Sequence, residues 1–360
     1  MGFSEKNLKS LVKVSIENGA SDIHIRTDET PALRIRGELV PVQSKTLDKS
    51  DIKDILKIVS GQESYETLKR REVDGSYDID GVCRLRYNAF LYGKNIGIVF
   101  RVILLDIPNI DDLGFDSTLK KIALKHRGLV LVTGATGSGK SSTIAAMIDY
   151  INRKRPAHII TIEDPIEYIH KSNLARITQR EVGVDTENFS TALKSALRQD
   201  PDVILIGEMR DPETIAIALK AAETGHLVFS TMHTTDVLST LGRIIGMFPA
   251  EEQGELRVRL SKSLYATIGQ RMLRNKNNGL VVAQEIMIST PGIRECLEGK
   301  EDLANIYGII ERAFDKAGNG SRTFDQSIMK LYKRGKITKE TALESATSSS
   351  DFMQKLIFDD

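Results

Sequence analysis

Cysteine is nearly missing from this chain of 360 residues, which has only Cys83 and Cys296. Two thiols so far apart cannot build a zinc cluster, and they imply no disulfide framework, as suits a reducing compartment. No run of about 18 apolar residues occurs, so no membrane-spanning helix is expected. The opening Met1-Gly-Phe-Ser-Glu-Lys6 lacks the apolar core of a signal peptide, and the chain is expected to be soluble and cytoplasmic. A surplus of charge is missing as well. The formal net charge is +1, from 50 Lys and Arg against 49 Asp and Glu, so no nucleic-acid partner is expected. Internal repeats are absent, and Ser348-Ser-Ser350 is too short to count as low complexity. The remainder, 41% hydrophobic and 28% charged, is ordinary for a globular protein with enough chain for two domains.

The most informative stretch is Gly128 to Thr143. It reads as an apolar strand from Leu129 to Val132, a glycine-rich turn, and the start of a helix near Lys140. Inside it, Gly134-x4-Gly139-Lys140-Ser141 is the full P-loop pattern. Glycines at 134, 137 and 139 let the backbone wrap closely around phosphate oxygens, and the helix N-terminus adds partial positive charge. Lys140 supplies a full charge for the β- and γ-phosphates, and Ser141 a hydroxyl for Mg²⁺. The expected nucleotide-binding set is Gly134, Ala135, Thr136, Gly137, Ser138, Gly139, Lys140, Ser141 and Ser142, with ATP and Mg²⁺ as the ligands.

Hydrophobic periodicity organises the rest as α/β. Residues 1–104 read as a small α+β domain. Leu8, Leu11, Val12 and Ile16 mark a helix that stops at Asn18-Gly19. A strand follows at Ile23 and Ile25, then a hairpin in which Leu33 and Ile35 alternate with Arg34 and Arg36 before Gly37. A second helix runs from about Ser50 to Gly61, with Ile52, Ile55, Leu56 and Val59 on one face. Two strands between Val82 and Ile103 are joined by Gly93-Lys-Asn95. Cys83, Leu85 and Tyr87 share one face there, which makes Cys83 a buried apolar residue, while Arg84, Arg86 and Asn88 share the other. Residues 105–113 break the pattern and read as a linker. From 114 to 360, helices alternate with β-branched runs at 128–133, 157–162, 203–206 and 227–231, the pattern of a parallel sheet. The chain turns helical from about Glu301, with a loop at Gly318-Asn-Gly320 and capping candidates at Thr323 and Thr338.

Ligands of open α/β sheets sit outside the carboxyl ends of the strands. Glu163 follows the second run, Glu208 the third and His233 the fourth, so three strands deliver an acid or imidazole to the phosphate edge. Phosphoryl transfer to water needs Mg²⁺ held, a water oriented and charge neutralised. Glu208 is the candidate for holding Mg²⁺ with Ser141, Glu163 for polarising the attacking water, and His233 for contacting the γ-phosphate. Asp202 and His226 precede their strands. Asp202 is therefore left outside the site, and His226 is either an interface residue or a satisfied structural histidine.

Gly-Ala-Thr-Gly-Ser-Gly-Lys-Ser (134–141), Ile-Glu-Asp-Pro-Ile-Glu-Tyr (162–168), the run from Leu197 to Glu208, and Glu-Thr-Gly-His-Leu-Val-Phe-Ser-Thr-Met-His-Thr (223–234) stand in that order. They resemble the Walker A, Asp box, Walker B and His box of the secretion ATPase superfamily. Within it the chain is most similar to the type IV pilus retraction ATPases of the PilT/PilU group. Ala-Ser-Asp-Ile-His (20–24) and Gln-Arg-Glu-Val-Gly (179–183) extend the likeness to nearly the whole length. The resemblance implies a PAS-like N-terminal domain before a RecA-like ATPase core, and a homohexamer. It also implies first-domain arginines that reach the phosphates, for which Arg86 and Arg101 are the candidates with Arg84 behind them. A plain solvated sheet face is the alternative for these arginines. The implied work is pilus retraction in twitching motility, on a platform protein at the inner face of the inner membrane, with a second retraction ATPase as a further partner.

Four-cysteine metal sites and the larger N-terminal region of assembly and secretion relatives are missing, which favours retraction. The late segment Gly292-Ile-Arg-Glu-Cys-Leu-Glu-Gly299 keeps only Ile293, Arg294 and Leu297 of the retraction pattern. Thr323-Phe-Asp-Gln326 is similar to accessory motors of the PilU type. The competing readings are an accessory retraction motor, a pilus-assembly or type II secretion ATPase, and, from another class, a non-hydrolysing nucleotide-binding adaptor.

Overall fold

In the computed structural model the first helix, α1 (Glu5–Glu17), begins where Ser4 and Asn7 cap each other reciprocally. The structure describes residues 2–35, 37–61, 64–68, 72–104, 106–277, 279–316 and 319–359. Arg36, Leu105 and Gly318, named above in a strand, a linker and a loop, lie outside the described residues. The chain divides into two units, Met1–Asp106 and Ile107–Asp360.

In the first unit α1 is followed by β1 (Ala20–Arg26), β2 (Ala32–Ile35), β3 (Glu38–Pro41), α2 (Lys49–Ser60), α3 (Ser64–Leu68), β4 (Val73–Ile79), β5 (Cys83–Tyr92) and β6 (Asn95–Leu104). The strands form one antiparallel sheet in the order β3-β2-β1-β6-β5-β4. Alternation along β5 buries Cys83, Leu85 and Tyr87, as expected, against Ile52, Ile55 and Leu56 of α2. Asp48 and Asp51 cap α2 reciprocally, and the helix closes at Gly61. Strand β3 is the second arm of the hairpin expected at Gly37, paired antiparallel with β2, although its extent was not read; β4 has no counterpart in the sequence reading. All four residues of β3 are exposed, so it carries no buried alternation to read.

The second unit runs α4 (Ser117–Ala123), β7 (Gly128–Gly134), α5 (Lys140–Lys154), β8 (His158–Glu163), β9 (Arg176–Glu181), α6 (Phe189–Ala196), β10 (Val203–Ile206), α7 (Pro212–Glu223), β11 (Leu227–Met232), α8 (Val237–Gly246), α9 (Gln253–Ser263), β12 (Leu264–Arg274) and β13 (Leu280–Ile288). The sheet order is β13-β12-β7-β11-β10-β8-β9, and every pairing is parallel except β12 with β13. Strands β7, β10 and β11 are buried along their whole length, because helices cover both faces of the sheet. Ile110 and Phe115 pack into the core on one of those faces.

After β13 come α10 (Pro291–Glu298), α11 (Asn305–Lys316), α12 (Phe324–Lys333), α13 (Lys339–Ser345) and α14 (Ser349–Asp359). Thr323 and Thr338 are N-caps as expected, of α12 and α13. The helical run starts earlier than Glu301, because Thr290 caps α10 and Pro291 opens it. Leu273 and Ala283 of the β12–β13 hairpin pack with Phe324, Ile328, Ile337 and Phe352 in a separate core. Among the described residues no helix is long and apolar enough to cross a membrane.

Candidate active site

The phosphate loop occupies the turn between β7 and α5. Gly134, at φ +146°, lies where a Cβ would come within 2.6 Å of the Gln270 carbonyl oxygen on β12, so only glycine fits. Ala135, Thr136, Gly137 and Ser138 form the turn, and Gly139, at φ +88°, stands at the N-cap of α5 without a side-chain cap. Unsatisfied N–H groups at the start of α5 thus face the loop. The buried Lys140 folds back, its Nζ donating to Gly134 O at 2.9 Å and Ala135 O at 3.0 Å. Burial lowers the pKa of its ammonium, while the charges of Glu208 and Glu167 work to raise it. Ser141 and Ser142 form the first turn of α5, and the Ser142 hydroxyl lies 2.7 Å from the Tyr168 hydroxyl. Thr143 accepts from Gln270 Nε2 at 2.7 Å, which pins α5 to β12.

The acids and the imidazole leave adjacent strand ends. Gly207 N donates to Ile162 O at 2.7 Å, so Glu163 and Glu208 emerge side by side. Thr231 Oγ1 donates to Gly207 O at 2.6 Å, holding the end of β11 to the same point. His233 lies between loop and acid: its Nδ1 is 3.5 Å from Thr136 Oγ1, and its Nε2 is 3.6 Å from Glu208 Oε2. Glu163, the last residue of β8, accepts from Thr161 Oγ1 at 2.6 Å and from Gln179 Nε2 at 3.2 Å. Burial pushes its carboxyl up to about 6 in spite of these bonds, which favour the charged form.

The structure therefore brings Thr136, Glu208 and His233 into contact and sets Lys140 in the same loop. Arg86 and Arg101 belong to the first unit, directly opposite each other on β5 and β6. Arg101 is paired with the buried Asp22 at 3.0 Å, and Arg84 bonds Ser76 and Asp78. Asp202 accepts from His158 N at the opposite strand end, away from the site as expected. His226 Nδ1 lies 2.9 Å from Ala221 O, a local partner that satisfies it. The sequence reading missed Arg210, whose Nε sits 2.7 Å from Glu208 Oε2, and the Gln179 bond to Glu163. Both signals were weak, since each is a polar residue in a polar stretch.

A phosphate loop on a parallel sheet, with acids on neighbouring strand ends and β11 between β7 and β10, defines a P-loop NTPase fold. The family model described as "Type II/IV secretion system protein" matches residues 1–349, and the chain belongs to that family. It is 41% identical over 347 residues to the type IV pilus retraction ATPase PilT of Pseudomonas aeruginosa, spanning 96% of this chain and 100% of that one. It is 37% identical over 345 residues to the type IV pilus ATPase PilU of the same organism, spanning 95% and 89%. A crystal structure of the pilus retraction motor PilT with bound ADP superimposes with a TM-score of 0.88 at 39% identity, covering 96% of this chain and 98% of that one.

Proposed function

We propose that this chain is an ATP-hydrolysing motor that works as a homohexamer to retract type IV pili. The observation that carries the reading is the convergence of Lys140, Glu163, Glu208 and His233 on one sheet edge, in a chain so similar to PilT throughout its length. When ATP enters, the Lys140 ammonium leaves the carbonyls of Gly134 and Ala135 for the β- and γ-phosphate oxygens. Glu163, with a carboxyl poised at about 6, polarises the attacking water. His233, already against both the loop and Glu208, contacts the γ-phosphate. Arg86 and Arg101 are the candidates for completing charge neutralisation from the first unit. The motor engages an inner-membrane platform protein from the cytoplasmic side.

The donor set fits Mg²⁺. Among the described residues no group of three or more His, Cys, Asp or Glu side chains could cage a metal. In the proposed reading the ion takes one hydroxyl, Ser141, and one carboxylate, Glu208, the sparse oxygen set of an ion otherwise held by water and phosphate. Bound there, Mg²⁺ would supply charge neutralisation at the β- and γ-oxygens.

Glu208→Gln is expected to abolish turnover and to leave ADP binding intact; undiminished hydrolysis refutes the role of Glu208. In cells whose only copy carries Lys140→Ala, pili should accumulate and surface motility should be lost. Loss of pili would replace retraction by assembly or secretion. One observation favours a second reading, that of an accessory motor: Thr323-Phe-Asp-Gln326 is similar to motors of the PilU type, and the chain is 37% identical to PilU. Deleting the gene beside an intact second retraction ATPase decides it, since an accessory motor leaves pilus number nearly normal.

A further inference from the structure

Strands β8 and β9 run parallel with Thr161 opposite Gln179 and Glu163 opposite Glu181. Alternate residues of a strand share a face, and so do directly opposed residues. Thr161, Glu163 and Gln179 therefore stand on the same face of the sheet. Both Thr161 Oγ1 and Gln179 Nε2 donate to one atom, Glu163 Oε1, at 2.6 and 3.2 Å. A hydroxyl can rotate about its own bond, so Thr161 alone leaves the carboxylate free to swing. The amide cannot follow such a swing. Its Oε1 accepts from His170 N at 2.8 Å, and its Nε2 also donates to Tyr168 O at 2.9 Å. Turning the amide over would set oxygen against the Tyr168 carbonyl and the Glu163 carboxylate, and N–H against the His170 N–H. The backbone at 168 and 170 thus dictates which end of Gln179 faces Glu163.

The segment that dictates it is itself fixed. Asn152 of α5 holds it through Lys171 O at 2.8 Å and Asn173 N at 2.9 Å. Tyr168 reaches Ser142, in the first turn of the phosphate-loop helix, at 2.7 Å. A continuous set of bonds therefore runs from α5 through this segment and Gln179 to Glu163.

We propose that Gln179 is a positioning residue for hydrolysis, its backbone-locked amide fixing the orientation of the Glu163 carboxylate toward the attacking water. The proposal rests on the reading of Glu163 as the group that polarises that water. A bond donated to a charged group by a locked partner is worth about 10- to 100-fold in a rate that depends on it.

The test is a double-mutant cycle on the full-length chain, with steady-state ATP turnover and ADP affinity as readouts. Gln179→Leu should lower kcat about 10- to 100-fold while KM and ADP affinity stay within about threefold. In a Glu163→Gln background the same change should cost less than about twofold more, because the group it positions is already gone. Equal losses in both backgrounds, or an unchanged kcat in the wild-type background, overturn the proposal. Should Glu163→Gln alone turn over like wild type, the reading of Glu163 fails in that single variant and the proposal with it. Gln179→Met keeps the side-chain length and removes the donor without adding a charge beside Glu163, so it tests the same bond if the leucine variant does not fold. Its kcat should fall in the same way, and a wild-type kcat overturns the proposal.

Discussion

The guanidinium of Arg210 reaches back to Glu208, with Nε 2.7 Å from Oε2, the oxygen that also faces His233. Glu208 is largely buried, whereas the Arg210 side chain is 65% exposed, so solvent screens the pair. If Glu208 holds Mg²⁺ as proposed, the arginine and the cation would compete for one carboxylate.

Arg210→Ala should therefore lower the Mg²⁺ concentration for half-maximal turnover by about 1.4- to fivefold, the range that ~0.2–1 kcal/mol of an exposed ion pair allows. A metal titration at saturating ATP checks this. An unchanged requirement counts against Glu208 as the metal-holding acid.

Two glycines of the phosphate loop should respond differently to alanine. At Gly134 the new methyl meets the Gln270 carbonyl oxygen at 2.6 Å, and neither backbone can yield. At Gly139 the nearest atom is Met272 Cε at 3.5 Å, so only the left-handed backbone at φ +88° opposes the change. Gly139→Ala should cost about 1–2 kcal/mol, and Gly134→Ala more than that, with loss of ADP binding. Thermal melting of the two variants gives the order, and a lower-melting Gly139→Ala would contradict it.

Activity should carry an acid limb set by Glu163. A group that polarises water must be ionised, and burial holds this carboxyl at about 6. The value of kcat should fall as pH drops through about 6 and level off above about 7. A flat profile across that range would remove Glu163 from the proton inventory.

Glu285 of β13 gives a stability prediction. Its carboxyl, 4% exposed, accepts from Val237 N at 2.7 Å. Burial, and then the charge of Asp236, push it up to about 7 from an ordinary 4.5, against the Val237 bond and the Arg271 charge. The folded state therefore holds this proton more tightly than the unfolded state. Stability is undiminished below 4.5, falls as pH rises from there to about 7, and stays reduced above. Glu285→Gln keeps an acceptor for Val237 and cannot ionise. It should melt above wild type at about pH 8, by up to about 3 kcal/mol, and like wild type at about pH 4. An equal difference at both values would show that the cost is not ionisation.

The parts of this fold legible in the sequence are those where one physical signal acts alone. Leu8 and Val12 at helical spacing mark α1, and the β-branched runs before Glu163, Glu208 and His233 mark three buried strands. Strand β9 escaped because it is an edge strand reading Arg-Ile-Thr-Gln-Arg-Glu, half exposed and polar. Gln179 escaped with it, since what matters there is a register with Thr161 that only the folded sheet sets. The β12–β13 hairpin went unread for another reason. Its residues carry no motif, and their importance lies in contacts with Gly134 and Thr143 far back in the chain.

That long reach bears on how the protein is born. Gly134 has Gln270 as its partner on β12, and Gln270 also ties Thr143, 127 residues earlier, to the same strand. A ribosome delivers the phosphate loop long before it delivers β12. Until then β7 lacks its β12 neighbour, and the turn lacks the carbonyl that shapes it. A nascent copy therefore lacks the strand that completes the phosphate cradle until Gln270 of β12 has been made, 127 residues after Thr143.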